Sequence, residues 1–331
     1  MNRVMIIAEA GVNHNGDLDT AKRLVDAARE AGADAVKFQT YRTELLAVRD
    51  AIKAEYQYRN TGKNLSQYEM LKELELSYDS FKELSLYCTS RNIMFLSSPF
   101  DETSMEYLDQ LGVGIIKIPS GEITNYGYLK KAASLQKPII LSTGMSTMEE
   151  IGEALNLLDE SGQDITLLHC TSAYPTPMEE VNLNAMSHMR QVFSRSIGYS
   201  DHTMGIVVAI AAAALGACVI EKHMTLDKTM AGPDHRLSLE PKEFRLMTDS
   251  IRNIEIALGN GYKKPSKEEC KNRDRVRKFL VASRDIKKGE PFTMDNLCAK
   301  RCSPGISPMR LKALLGTPSD RDYKMDERII K

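Results

Sequence analysis

An α/β fold of the (β/α)8 TIM barrel class is predicted by three features of this 331-residue chain. Eight short β-rich runs recur along it, helical patterns separate them, and polar residues gather where the runs end. The runs are Val4 to Glu9, Ala35 to Gln39, Ile93 to Ser97, Ile115 to Pro119, Pro138 to Ser142, Ile165 to Cys170, Arg195 to Tyr199 and Cys218 to His223. Such alternation over about 250 residues is what a closed barrel needs. An open doubly wound sheet is the alternative, but no G-x-G-x-x-G follows the first run.

The stretches between runs justify the helices in turn. "TAKRLVDAAREAG" and "DSFKELSLYCTSR" are amphipathic, and "TMEEIGEALNLLDESG" opens with Thr147 as N-cap and Glu150 three residues on, the capping-box spacing. The segment "YSDHTMGIVVAIAAAALGACVIEKHMTL" is apolar enough to suggest a membrane span, but its uncharged part, Gly205 to Ile220, is shorter than the roughly 20 residues a bilayer demands. It divides instead into a helix over Val207 to Leu215, a stop at Gly216 and a β-branched strand.

After "FRLMTDSIRNIEIALG" the composition becomes polar and basic. We read 1–259 as the barrel domain, 260–278 as a linker and 279–331 as a small second domain with little core of its own, which should dock on something larger. A chain that is 42% hydrophobic and 27% charged suits a soluble globular protein, and a net charge of -1 argues against a nucleic-acid binder. The basic run "KKPSKEECKNRDRVRK" reads as a solvated linker. The N-terminus lacks a signal-peptide pattern, and six scattered cysteines without a C-x-x-C favour neither disulfides nor zinc, so the cytoplasm is expected.

In a barrel the chemistry lies at the C-terminal ends of the strands. There the sequence places Glu9, Lys37 with Gln39, Ser97-Ser98-Pro99, Lys117 with Ser120 and Glu122, Ser142, "HCTSAYPTP", Ser200-Asp201-His202 and Glu221-Lys222-His223. Two lysines among hydroxyls predict a cationic mouth for an anion bearing phosphate and carboxylate. Either lysine alone could simply neutralise a core carboxylate. His202 and His223 end the seventh and eighth runs. They are either satisfied core residues or two nitrogen ligands able to reach one ion at roughly 2.0 to 2.2 Å, with positions left open for a Lewis-acid role. Glu122 could neutralise Lys117 or act as acid or base. His169 reads as structural, His14 as either, His188 as a surface residue, and His235 as a loop residue beside Asp234.

These residues resemble the sialic acid synthase family, whose members condense phosphoenolpyruvate with an N-acetylated hexosamine. The matching motifs are "IAEAGVNHNG", "VKFQT", "LSSPFD", "KIPSGEITN", "LSTGM", "HCTSAYPTP", "YSDHT", "EKHMTLD" and "GPDH", in order along the barrel. In the tail, "VASRDIKKGE" and "KRCSPGISP" resemble the antifreeze-like (SAF, β-clip type) domain of that family. The resemblance implies that His202 and His223 hold a divalent ion, manganese first, with magnesium or cobalt as substitutes. It implies that Lys37, Ser98, Lys117, Ser120, Ser142, Ser172 and Ser200 hold phosphoenolpyruvate, and that Glu122 moves protons. Glu9, Gln39, Tyr174 and Asp234 would contact the sugar. Arg301 would reach the N-acetyl group from the antifreeze-like domain of a second subunit, in a homodimer whose small domains cap each other's barrels. Ser172 stands where some members carry asparagine, and Arg301 is followed by Cys302-Ser303-Pro304-Gly305.

The activity expected first is condensation with N-acetylmannosamine to give N-acetylneuraminate and phosphate by C–O cleavage. The alternative is N,N'-diacetyllegionaminate synthesis from 2,4-diacetamido-2,4,6-trideoxymannose. A pseudaminate synthase ranks behind these, because "KAEYQYRNTG" and "SQYEMLKELELS" look like the neuraminate and legionaminate branches. A non-catalytic sugar-binding protein and a pyruvate aldolase are readings from other classes; neither would release phosphate.

Overall fold

The computed structural model describes residues 3–61, 65–160 and 162–330; Gly62, which closes "KAEYQYRNTG", and Ser161 of "TMEEIGEALNLLDESG" lie outside them. The chain divides into two compact units, Met1–Gly259 and Asn260–Lys331.

In the first unit the strands are β1 (Met5–Gly11), β2 (Ala35–Thr40), β3 (Met94–Pro99), β4 (Ile116–Ile118), β5 (Ile139–Ser142), β6 (Ile165–His169), β7 (Ser196–Asp201) and β8 (Val219–His223). All pair in parallel, in the order β3-β2-β1-β8-β7-β6-β5-β4. The ends of that order, β3 and β4, pack against each other, so the sheet curls into a TIM-barrel-like form. A helix follows each strand: Leu18–Glu30, Tyr78–Ser90, Glu102–Gln110, Tyr126–Ser134, Met148–Asp159, Asn184–Phe193, Val207–Ala214 and Pro241–Leu258. The capping box of Thr147 and Glu150 forms as the spacing predicts. Gly216 sits at φ +89°, a conformation that stops the preceding helix at little cost only for glycine. No described helix is long and apolar enough to cross a membrane.

Strand side chains alternate between faces, so each strand contributes to the barrel interior at every second residue. One interior layer is apolar: Ile7, Ala35, Leu96, Ile140, Leu168 and Val219. Gly198 belongs to this layer, because a Cβ there would lie 2.5 Å from Leu168 Cδ2 and 2.6 Å from the Val219 carbonyl oxygen. Two residues further along, the same strands carry Glu9, Lys37, Ser98, Ser142, Cys170, Ser200 and Glu221, all buried. The interior therefore changes from apolar to polar in one step toward the strand ends. The opposite strand faces and the helices form the larger apolar core.

One feature departs from simple alternation. Between β2 and its helix, the chain makes an excursion with three short helices, Thr43–Leu46, Glu55–Thr61 and Gln67–Leu74. Its Met70 and Leu74 join Val12 and Tyr41, with Leu46, Leu71 and Phe100 against them, in an apolar cluster separate from the main core.

In the second unit, β9 (Lys278–Ala282) and β10 (Leu297–Arg301) pair antiparallel. Leu280, Ala282, Ile286, Phe292, Leu297, Leu314, Tyr323 and Ile329 form its own small core. The stretch read as a linker, 260–278, contains an exposed helix, Lys267–Val276. Its Ser266–Glu269 capping box forms within "KKPSKEECKNRDRVRK", so a solvated run here is also a helical one.

Candidate active site

A cavity of about 920 Å³ opens at the C-terminal ends of the strands. Its walls include Glu9, Lys37, Gln39, Ser98, Lys117, Ser120, Ser142, Ser172, Tyr174, Ser200, His202 and His223, gathering most of the residues singled out in the sequence.

The floor is a charged cluster. Lys37 Nζ lies 2.6 Å from Glu9 Oε2 and 3.7 Å from Glu221 Oε1, and it donates to Ser98 Oγ at 3.0 Å. Lys117 Nζ lies 3.7 Å from the same Glu221 oxygen and donates to Ser142 Oγ at 2.8 Å. Ser200 donates to Glu221 Oε1 at 3.1 Å, and Gln39 Nε2 to Glu9 Oε1 at 3.0 Å. Burial works to lower the pKa of Lys37, but Glu221 and Glu9 outweigh it and leave it raised. Lys117, beside a single carboxylate, is left lowered by burial despite Glu221. Burial alone would raise Glu221, but Lys117 and Lys37 hold it below the usual value.

Two lysines and two carboxylates cancel. The mouth expected to be cationic is thus charge-balanced at its floor, because Glu221 shares the inward face of β8 with His223. That two-residue spacing was the signal for Glu221, which stood in the sequence only as part of "EKH".

The two histidines lie close, with ring centroids 5.6 Å apart. Tyr174 lies against His202 at 4.3 Å, its ring tilted by 44°, and meets His223 edge-on at 6.2 Å. The Thr171 carbonyl accepts from His202 Nδ1 at 2.8 Å, which places the proton there and leaves Nε2 with its lone pair. His223 Nδ1 is buried with no hydrogen-bond partner. Burial lowers the pKa of both rings, that of His223 strongly. Behind them, on the outward strand faces, Lys222 Nζ and Asp201 Oδ2 pair at 2.8 Å with both side chains fully buried, bracing β7 against β8.

Gly144 closes the wall near Ser120 and Ser172. Its N–H donates to Ser120 Oγ at 2.9 Å, and a Cβ there would stand 2.3 Å from Ser172 Oγ.

Other residues fall elsewhere. Glu122 ends the turn Ser120–Glu122 and accepts from Asn125 Nδ2 at 2.7 Å; Gly121 lines the cavity and Glu122 does not. Half-burial raises its pKa. Asp234 lines a second cavity of about 260 Å³, whose wall shares Gln39, Tyr56, Gln57, Gln67, Phe100, Tyr174 and His223 with the first. Burial, then the Glu9 charge, pushes Asp234 up to about 7, and its Oδ1 has no partner. Arg301 ends β10 in the second unit, exposed. His14 is buried, accepting from Gly16 N–H. His169 bonds the Val181 carbonyl, His188 is exposed on its helix, and His235 bonds Thr225 and Asn15.

A match to the NeuB family spans residues 24–263. An N,N'-diacetyllegionaminic acid synthase from Campylobacter jejuni is 54% identical, over 99% of both chains. A protein of that name from Legionella pneumophila is 47% identical, over 94% of this chain and 89% of its own. The crystal structure of an N-acetylneuraminic acid synthetase from Leptospira borgpetersenii, in complex with citrate, superposes with a TM-score of 0.72 at 36% identity, covering 83% of this chain and 93% of that one. The resemblance read from the barrel motifs holds along the chain, which belongs to the NeuB family as a synthase of the sialic and legionaminic acid type.

Proposed function

We propose that this chain condenses phosphoenolpyruvate with 2,4-diacetamido-2,4,6-trideoxymannose, giving N,N'-diacetyllegionaminate and phosphate. The observation that supports this choice of sugar is the 54% and 47% identity, along nearly the whole chain, to two proteins named for that synthesis. Neuraminate synthesis, expected first from the sequence, gives way to it: N-acetylmannosamine carries hydroxyls at C4 and C6, where the trideoxy sugar carries an acetamido group and a methyl.

The two histidines fit a divalent ion. Each has a ring nitrogen without a protein partner, and among the described residues no cluster of three or more His, Cys, Asp or Glu forms a closed metal cage. We propose manganese, with magnesium or cobalt as substitutes. When bound, such an ion supplies Lewis acidity for a carbonyl oxygen.

Lys37, Lys117, Ser98, Ser120, Ser142, Ser172 and Ser200 would hold the phosphate and carboxylate of phosphoenolpyruvate. Its enol carbon then bonds to the sugar's aldehyde carbon, water adds at the adjacent centre, and phosphate leaves by C–O cleavage. The lysines favour the departing anion. Glu122 stands outside the cavity wall with Oε2 accepting from Asn125, whereas Glu9 already faces the cavity and is the nearer candidate for proton transfer. Gln39, Tyr174 and Asp234 would meet sugar hydroxyls. We further propose that the second unit is an antifreeze-like domain, that its Arg301 reaches the N-acetyl group in a second copy of the chain, and that synthesis is cytoplasmic, where phosphoenolpyruvate is made.

Phosphate release from phosphoenolpyruvate, measured with manganese over a panel of sugars, tests the reading. The trideoxy sugar should be the best substrate, and a chelator should stop the reaction. Preference for N-acetylmannosamine would overturn the choice of sugar. Full activity of His202→Ala with metal removed would overturn the metal role.

A further inference from the structure

The smaller cavity beside His223 has a wall of two kinds. Leu46 and Leu71 belong to its apolar side, while Asp234 and three glutamines, Gln39, Gln57 and Gln67, belong to its polar side. The glutamines differ in what they have left to offer. Gln39 commits its Nε2 to Glu9 Oε1 at 3.0 Å, and Gln57 Oε1 accepts from the Ala54 N–H at 3.0 Å. The half-buried side-chain amide of Gln67 makes no hydrogen bond among the described residues, which leaves both its donors and its acceptor open. Its backbone, by contrast, is fixed. Gln67 opens the helix Gln67–Leu74, donates its N–H to the Ala51 carbonyl at 2.9 Å and stands beside the Ser66–Glu69 capping box. Leu71, four residues on, lies on the same helix face, so that face presents an amide and then an aliphatic side chain to the cavity.

Resting on the legionaminate reading, we infer that Gln67 receives the C4 acetamido group of the sugar and is a specificity determinant of the condensation. Gln67 and His223 line both cavities, so a sugar with its aldehyde carbon at the histidines brings its middle carbons to Gln67. An acetamido group carries one donor, one acceptor and a methyl. A glutamine amide answers the first two at once, N–H to carbonyl and carbonyl to N–H, and Leu71 stands on the side where the methyl follows. A C4 hydroxyl offers a single atom in place of two, and leaves one end of the amide and the aliphatic surface without a partner. No charge takes part, so the scale is that of two neutral hydrogen bonds, about 5- to 150-fold.

The test compares kcat/KM for 2,4-diacetamido-2,4,6-trideoxymannose with that for 2-acetamido-2,6-dideoxymannose, which differs at C4 alone. The wild type should favour the diacetamido sugar by about 10-fold or more. Gln67→Leu keeps the size and the helix propensity, and should narrow that ratio to about 3-fold or less through a loss on the diacetamido sugar. Gln67→Met should act in the same direction and covers the case in which the first variant does not fold. A purely structural role lowers kcat/KM for both sugars alike and leaves the ratio unchanged. An unchanged ratio in the folded variants, or a wild type indifferent to the C4 substituent, overturns the inference. Legionaminate synthesis survives an unchanged ratio in the variants; it falls if the wild type prefers N-acetylmannosamine, a result that ends the inference as well.

Discussion

Replacing Glu221 by glutamine keeps the side chain's shape and removes one charge from a buried cluster of four. At 3.7 Å from both Lys37 and Lys117, the carboxylate attracts each by about 4.5 kcal/mol at an effective dielectric near 20. That gross attraction is offset by the cost of burying Glu221 itself. Lys37 keeps Glu9 at 2.6 Å, so the loss falls on Lys117. The penalty has a ceiling, because Lys117 can shed its proton: moving from an ordinary lysine's 10.5 to pH 7 costs about 5 kcal/mol at 1.36 kcal/mol per unit. Breaking one side of a buried pair usually costs ~3 to 5 kcal/mol, the range expected here. Urea unfolding at pH 7 should register that loss, and thermal unfolding a fall on the order of 10 °C. Inorganic phosphate would then stand opposite Lys117 in place of the missing carboxylate, and should raise the variant's midpoint more than the wild type's. A variant within about 1 kcal/mol of the wild type, or equal stabilisation of both by phosphate, would refute the charge-balanced floor.

Two further perturbations test the barrel itself. Gly198→Ala pushes a methyl against the Val219 carbonyl, which cannot rotate away, so urea unfolding should show a loss of about 1 to 3 kcal/mol; an unchanged midpoint would mean that the interior layer is looser than described. His14 is buried with its pKa lowered to about 4 against 6.5 when unfolded. The folded state therefore resists protonation, and stability is lost as pH falls from 6.5 toward 4, by up to about 3 kcal/mol from this group. His14→Asn should lose less stability than the wild type between pH 7 and 4.5 in urea titrations, whereas parallel losses would show that His14 does not carry the dependence.

The barrel and its polar layer were legible because both follow from the two-residue period of a strand. Once His223 points inward, Glu221 must as well, and Lys222 must point outward to Asp201. Lys37 and Lys117 were singled out as polar residues near strand ends, and the same period turns both side chains inward. What the period cannot supply is the stagger between strands, and the stagger decides that Glu9 of β1 and Glu221 of β8 flank Lys37 of β2. The floor's neutrality is therefore a property of register. Glu122 failed to join the cavity for a more local reason: it lies beyond β4 on a single turn, where Asn125 three residues on captures its carboxylate.

The second cavity was less legible for a physical reason. Its surface is assembled from Leu46 and Leu71 in short helices, Phe100 just past β3 and Asp234 in the loop after β8, so no one stretch of sequence carries a period that announces it. The polar layer is built on strands shared by barrels of many activities, while the wall of the second cavity is built largely on an excursion that barrel closure does not require. Substitutions at Leu46 or Leu71 can then reshape that wall without disturbing the charge balance around Lys37 and Lys117. Changes at Glu9 or Glu221 cannot spare that balance, because each of these carboxylates is also a counter-ion of the floor.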